Sequence, residues 1–182
     1  MYMYNYFTRK LLLYNILSYI ITMTDKNEKI YYEDFYLFIT NHNERFDDYK
    51  NQYINLLSEL SICENISNEI FFENLNQINS IGTIIIAYHY NTDNTITLVG
   101  TGTIIIEPKV IRNGKSVGHI EDIVVKSTYR GKKISQSILE KLKNFAREKN
   151  CYKVILDCNE NVCPVYKSNG FEIKGIQMSL YF

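Results

Sequence analysis

The clearest periodicity in the chain is helical: between Lys133 and Lys149, Ile134, Ile138, Leu139, Leu142 and Phe145 fall on one face, with Lys, Glu and Arg on the other. Just before it, His119 to Lys126 alternates and then runs apolar with β-branched residues, as a mostly buried strand does. Just after it, Tyr152 to Cys158 is a second apolar strand, and a crossover helix between two strands sets them parallel. Upstream, Gly82 to Tyr90 and Thr95 to Glu107 read as strands joined by the turn Asn91-Thr-Asp-Asn, which makes a hairpin. Before the hairpin, Phe46, Tyr49, Tyr53, Leu56, Leu57 and Leu60 mark a helix beginning near Glu44 and capped by Asn43 or Asn41. Ser67 caps another, which buries Ile70, Phe71, Leu75 and Ile78. Aromatic and β-branched residues from Ile30 to Thr40 suit a first strand, and Phe171 to Phe182 suits a last one. Between them, Val165 to Ser168 belongs to a short helix that Asn161 caps and Gly170 ends, with Pro164 in the first turn where no intrahelical donor is lost. These elements compose an α+β domain over 29–182: a mixed, mostly antiparallel sheet with flanking helices and one parallel strand pair.

Residues 1–28 stand apart. Arg9 and Lys10 precede an apolar run from Leu11 to Met23 that is short for a membrane span, which needs about 20 apolar residues. A targeting or anchoring segment, an extra helix, and an upstream extension with Met23 as the working start are the three readings, and the absence of an Ala-x-Ala-like cleavage site favours the last two.

With 182 residues and formal net charge zero, the chain fits one domain with an ordinary core, and a small-molecule ligand suits it better than nucleic acid. Cys63, Cys151, Cys158 and Cys163 form neither a disulfide framework nor a Cys-x-x-Cys pair. Reduced thiols in a cytoplasmic enzyme are expected. His42, His89 and His119 lack paired ligand spacing, so no metal is expected.

Candidate chemistry lies between the central strand and the long helix. The loop Arg130-Gly131-Lys132-Lys133 brings positive side chains to a helix N-terminus, where backbone N–H groups favour a phosphate. This strand, loop and helix resemble the acetyl-CoA signature of the GNAT N-acetyltransferases, whose Arg/Gln-x-x-Gly-x-Gly/Ala loop holds a pyrophosphate. Lys133 stands where the middle glycine usually lies, and Ser135 replaces the last small residue. Lys133 is tolerable there if its φ is negative.

Four further segments, Gly118-His-Ile-Glu-Asp-Ile-Val-Val, Arg130-Gly-Lys, Asn150-Cys-Tyr-Lys-Val-Ile-Leu-Asp-Cys and Val165-Tyr-Lys-Ser-Asn-Gly-Phe, resemble in order and spacing the glucosamine 6-phosphate N-acetyltransferase branch of that superfamily. The resemblance runs from about Lys109 to Met178. It implies acetyl transfer from acetyl-CoA to the 2-amino group of glucosamine 6-phosphate, without a metal, by a homodimer serving UDP-N-acetylglucosamine synthesis. Residue by residue, it implies catalytic roles for Tyr166, Glu121 and Asp157, with the Tyr166 phenol serving the leaving thiolate. For the cofactor it implies Ile123, Val124 and Val125 beside the pantetheine arm and Arg130, Gly131, Lys132, Lys133, Ile134 and Ser135 at the pyrophosphate. Asn161, Tyr166, Lys167 and Ser168 would complete that side. For the sugar phosphate it implies Lys109, Arg112, Glu121, Asp122, Ile123, Asp157 and Tyr181. Val162 stands where the branch has its helix-start asparagine, and Tyr181 where it often has an arginine on the phosphate.

Each assignment has a plainer counterpart. Glu121 and Asp122 can be the polar side of a strand, Asp157 a turn residue, Tyr166 a core aromatic, and the basic loop a solvated turn. Acetylation of another amine, and a silent acetyl-CoA-binding protein, are the competing functions.

Overall fold

The computed structural model describes residues 29–182, and the readings made for 1–28 lie outside them. Five strands form one sheet in the order β1 (Tyr31–Asp34), β2 (Gly82–Tyr90), β3 (Ile96–Glu107), β4 (Ser116–Val125) and β5 (Cys151–Leu156). Neighbours are antiparallel except β4 and β5, which are parallel, as a crossover through a helix requires. Three helices, α1 (Phe35–Asn41), α2 (Phe46–Leu57) and α3 (Asn68–Ile81), cover one face, and α4 (Ile134–Glu148) covers the other. A short helix α5 (Cys163–Ser168) follows β5.

The first face is an aromatic core. Phe35 lies 4.4 Å from Tyr53 and 6.2 Å from Phe71 between ring centroids, and Phe38 lies 4.9 Å from Tyr49. Ile84, Ile86, Tyr88, Ile96 and Leu98 meet them from the sheet. On the opposite face, Ile134, Ile138, Leu139 and Leu142 of α4 are fully buried, as their spacing predicts, with Ala146 in place of the half-buried Phe145.

Four expectations are corrected. The stretch read as a first strand, Ile30 to Thr40, is a four-residue strand followed by α1, because Asp34 caps the helix with Oδ1 accepting from the Leu37 N–H at 2.9 Å. Phe35, Phe38 and Ile39 are then one helical face. Neither Asn41 nor Asn43 caps α2: Asn41 ends α1, Asn43–Arg45 is a 3₁₀ turn, and α2 starts at Phe46 without a side-chain cap. Ser67 does cap α3, accepting from the Ile70 N–H, but Ile70 itself is exposed. Residues 171–182, read as a last strand, form no secondary structure, and Ile173, Ile176, Met178, Leu180 and Phe182 are exposed. A strand needs a partner, and the described residues supply none to that segment.

Candidate active site

β4 creates the site by two departures from regular pairing. Thr101 faces Val124 while Thr103 faces Glu121, so Asp122 and Ile123 together oppose Gly102 in a β-bulge. Asp122 takes the left-handed conformation there, φ 54°, which Asp tolerates better than most residues. Gly102 makes room: an added Cβ would come within 2.3 Å of Ile123 Cδ1 and 2.8 Å of Ile138 Cγ2. The second departure is that pairing with β5 stops at Ile120, opposite Leu156. Beyond that point β4 is open on its β5 side.

A cavity of about 410 Å³ occupies the opening. Ile123, Val124 and Val125 line it from β4, Arg130, Gly131, Lys133, Ile134 and Ser135 from the loop and first turn of α4, and Tyr166 from α5. Eight of these residues come from Ile123–Ser135, and Tyr166 joins them in the cavity wall from further along the chain. The loop is fixed from two sides: Arg130 Nε donates to the Val125 carbonyl at 3.2 Å, and Glu59 Oε2 accepts from the Ser127 N–H at 2.8 Å and pairs with the Arg130 guanidinium at 3.4 Å. Gly131 has φ 82°, which glycine adopts freely.

Lys133 corrects an expectation. Its φ is 61°, not negative, and it stands as the residue before α4 without a side-chain cap. A non-glycine residue in this conformation costs about 1 kcal/mol or more. Lys133→Gly is therefore expected to stabilise the fold by about 0.5–1 kcal/mol, since the added freedom of the unfolded chain offsets part of the gain. That corresponds to a Tm increase of about 1–4 °C for a domain of this size. A lower Tm for the variant would show that the lysine side chain stabilises the loop more than its backbone strains it.

At the lip, Glu121 and Asp122 reach solvent. Desolvation raises the Glu121 carboxyl above its ordinary range, the charges of Asp122 and Asp157 raise it further, and His119 opposes them. Desolvation raises Asp122 as well. Such a group favours the folded state fully below the unfolded carboxyl value, about 4.3, and loses that contribution as pH rises through its higher folded value. Glu121→Gln is thus expected to raise Tm relative to the parent at pH 7.5 and to lose that advantage near pH 4. A difference independent of pH would show that the carboxylate is not under electrostatic pressure.

Burial, and then the neighbouring Cys158, raises the Tyr166 phenol. Asp157 follows the end of β5 and, with Lys167, lines a larger groove of about 960 Å³ that also includes Tyr166. Lys132 lies over the Tyr129 ring, its Nζ 4.6 Å from the centroid, and is not in the cavity wall. Asn161 and Ser168 are also outside that wall. Asn161 is exposed and does not cap α5, whose first turn follows Val162, so the expected cap is corrected. Val162 and Val165 line the cavity in its place. Lys109 is paired with Glu107, and Arg112 lies over Tyr152 at 5.7 Å; neither lines the cavity. Tyr181 is exposed in the segment 171–182 and lines neither cavity. The sequence reading missed Glu59, Leu60 and Tyr129, which reach the cavity from a distant connector and from the turn before the loop. Among the described residues no cluster of three His, Cys, Asp or Glu side chains is arranged to hold a metal ion.

An open β4 edge thus leads to a basic loop at a helix N-terminus, in which Gly131 and Lys133 have positive φ. The Acetyltransferase (GNAT) family profile matches residues 54–171, and the chain belongs to that family. Glucosamine 6-phosphate N-acetyltransferase of Arabidopsis thaliana is 35% identical over 135 residues, covering 74% of this chain and 91% of the relative. Glucosamine 6-phosphate N-acetyltransferase 1 of Dictyostelium discoideum is 38% identical over 138 residues, covering 74% and 85%. The crystal structure of the Arabidopsis enzyme superposes with a TM-score of 0.71 at 32% identity, covering 85% of this chain and 99% of that one. A Trypanosoma brucei acetyltransferase superposes at 0.72 with 26% identity, covering 85% and 100%. The chain is a GNAT-type acetyltransferase homologous to the glucosamine 6-phosphate enzymes.

Proposed function

We propose that the protein transfers the acetyl group of acetyl-CoA to the 2-amino group of glucosamine 6-phosphate, giving the N-acetyl sugar phosphate that UDP-N-acetylglucosamine synthesis consumes. The observation that carries the proposal is the meeting, at one bulge in β4, of an open strand edge leading to the Arg130–Ser135 loop with the carboxylates of Glu121 and Asp122. The similarity to the Arabidopsis and Dictyostelium enzymes supports the choice of sugar phosphate.

The residues suffice for direct transfer. An amine attacks a thioester only when neutral, and an amino-sugar nitrogen titrates near the α-amino range of about 7.7–8.0, so no strong base is required. Glu121 or Asp157 orients the nitrogen, directly or through water. Backbone N–H groups at the bulge polarise the thioester carbonyl, and the Arg130–Ser135 loop offers N–H groups and positive charge to the pyrophosphate. As the tetrahedral adduct collapses, the sulfur leaves as thiolate beside the Tyr166 phenol. Desolvation and the neighbouring Cys163 raise the exposed Cys158 thiol, so nothing there favours a thiolate.

Incubation with acetyl-CoA and glucosamine 6-phosphate should release free thiol with saturation in both. Equal use of unphosphorylated glucosamine would rule out the sugar-phosphate reading. Transfer to a cationic amine is favoured by one observation: Glu121, Asp122 and Asp157 lie near enough to one another that, beyond desolvation, the last two raise the Glu121 carboxyl, while Lys109 is held by Glu107. A polyamine in the same assay decides between them.

The protein is expected to act as a homodimer. The apolar, exposed segment 171–182 and the outer edge of β5 are the features that support a second copy. Sedimentation should give twice the chain mass, and a fully active monomer at assay concentration would contradict this.

A further inference from the structure

The loop Arg130–Ser135 is anchored by more than the ties to Val125 and Glu59. His89, near the end of β2, is buried at 4% exposure, a position that an apolar side chain would fill. Its Nε2 is hydrogen-bonded to the Tyr129 phenol oxygen at 2.7 Å, and the two rings lie nearly parallel, 5.4 Å apart. Its Nδ1 is buried and has no hydrogen-bond partner among the described residues. An unsatisfied buried nitrogen costs free energy that phenylalanine or leucine would not, so stability alone does not account for histidine here. What the ring does is hold Tyr129. That residue closes the 3₁₀ turn Ser127–Tyr129, directly precedes Arg130, lines the cavity, and carries Lys132 over its ring. His89 also shares a face of β2 with Ala87, whose partner Gly100 lies under Ile134 and Ile138 at the start of α4.

We infer that His89 is a positioning residue for the donor substrate: through its bond to the Tyr129 phenol it sets the loop in the conformation that receives the pyrophosphate of acetyl-CoA. The inference rests on the reading of that loop as the cofactor's phosphate site. Tyr129 acts at the cavity, and His89 acts through Tyr129. One neutral hydrogen bond is involved, so its loss should weaken donor use by about 3- to 10-fold.

The test compares the parent with His89→Phe, Tyr129→Phe and the double variant, using acetyl-CoA and S-acetylpantetheine, which lacks the pyrophosphate and nucleotide. Each single variant should raise KM for acetyl-CoA about 3- to 10-fold with kcat within about twofold, and leave kcat/KM for S-acetylpantetheine unchanged. The double variant should be no worse than either single one, because both remove the same bond. His89→Phe should melt at or above the parent's Tm. Tyr129→Phe, which removes only the phenol oxygen, carries the test if His89→Phe does not fold. Unchanged KM for acetyl-CoA in Tyr129→Phe, equal losses with both donors, or additive losses in the double variant would overturn the inference while leaving the cofactor reading intact. A parent that binds no acetyl-CoA by calorimetry would overturn both.

Discussion

Tyr166→Phe is expected to lower kcat by about 10²-fold or more while changing the dissociation constant of acetyl-CoA by less than about threefold. The phenol is half-buried in α5, where the cavity of the Arg130–Ser135 loop and the larger groove containing Asp157 both reach it. Burial keeps it protonated well above neutral pH, so it is available as a donor throughout the range in which the amine is neutral. A thiolate exists only once the carbon–sulfur bond is breaking, and an interaction made only then appears in kcat rather than in binding of the intact thioester. General acid assistance of this kind contributes about 10²- to 10⁴-fold. The ring of Phe preserves the edge contact with Phe171, whose centroid is 6.1 Å away, so the fold should be unaffected. Single-turnover kinetics and equilibrium binding measure the two quantities separately. An unchanged single-turnover rate would remove Tyr166 from the mechanism.

The parts of the molecule that were legible in the sequence are those set by local pattern. The α4 stripe, the Ser67 cap and the strand Gly82–Tyr90 each follow from spacing within a few residues, and the parallel β4–β5 pair follows from the helix between them. The basic loop was visible for the same reason, since a strand, a glycine and a helix start lie within one short stretch. The misses have physical causes. Tyr31, Tyr32, Phe35 and Tyr36 favour a strand by propensity, and the single carboxylate of Asp34, which also accepts from the Thr83 hydroxyl on β2, converts the second half of that stretch to helix. The φ of Lys133 is imposed by the turn into α4, and lysine carries no sign of it. Contacts such as Glu59 with Ser127 and His89 with Tyr129 join residues 68 and 40 positions apart, which only the folded sheet brings together. The final strand failed for a different reason. Its pattern is that of a strand, but hydrogen-bonding edges are a property of the assembly, and among the described residues no strand pairs with residues 171–182.

In the proposed reaction, phosphate recognition is expected to depend on how the loop between β3 and β4 distributes its charge. Lys109 is already paired with Glu107, whose other oxygen binds His119 Nε2 at 2.8 Å, and these contacts hold the Glu107 carboxyl below its ordinary range. A phosphate approaching Lys109 must displace or oppose that carboxylate. Arg112 pairs with no carboxylate among the described residues; it sits in a left-handed turn, φ 59°, with its guanidinium over Tyr152. Stacking on an aromatic ring leaves the edge of the guanidinium, where its donors lie, available to an anion. With Tyr181 where the related enzymes often carry an arginine, Arg112 is the basic group expected to bind the sugar's phosphate. A charge-assisted hydrogen bond contributes about 1.5–3 kcal/mol, so Arg112→Ala should raise KM for glucosamine 6-phosphate by about one to two orders of magnitude. KM for acetyl-CoA should barely change, because the site proposed for the cofactor's pyrophosphate is the Arg130–Ser135 loop. Lys109→Ala should have the smaller effect, since it also frees Glu107 from its partner. The variant should also lose most of the parent's preference for glucosamine 6-phosphate over glucosamine, which separates loss of phosphate contact from damage to the amine site. Steady-state kinetics with both sugars measure this directly, and an Arg112→Ala enzyme with unchanged KM and unchanged preference would assign the phosphate to another part of the protein.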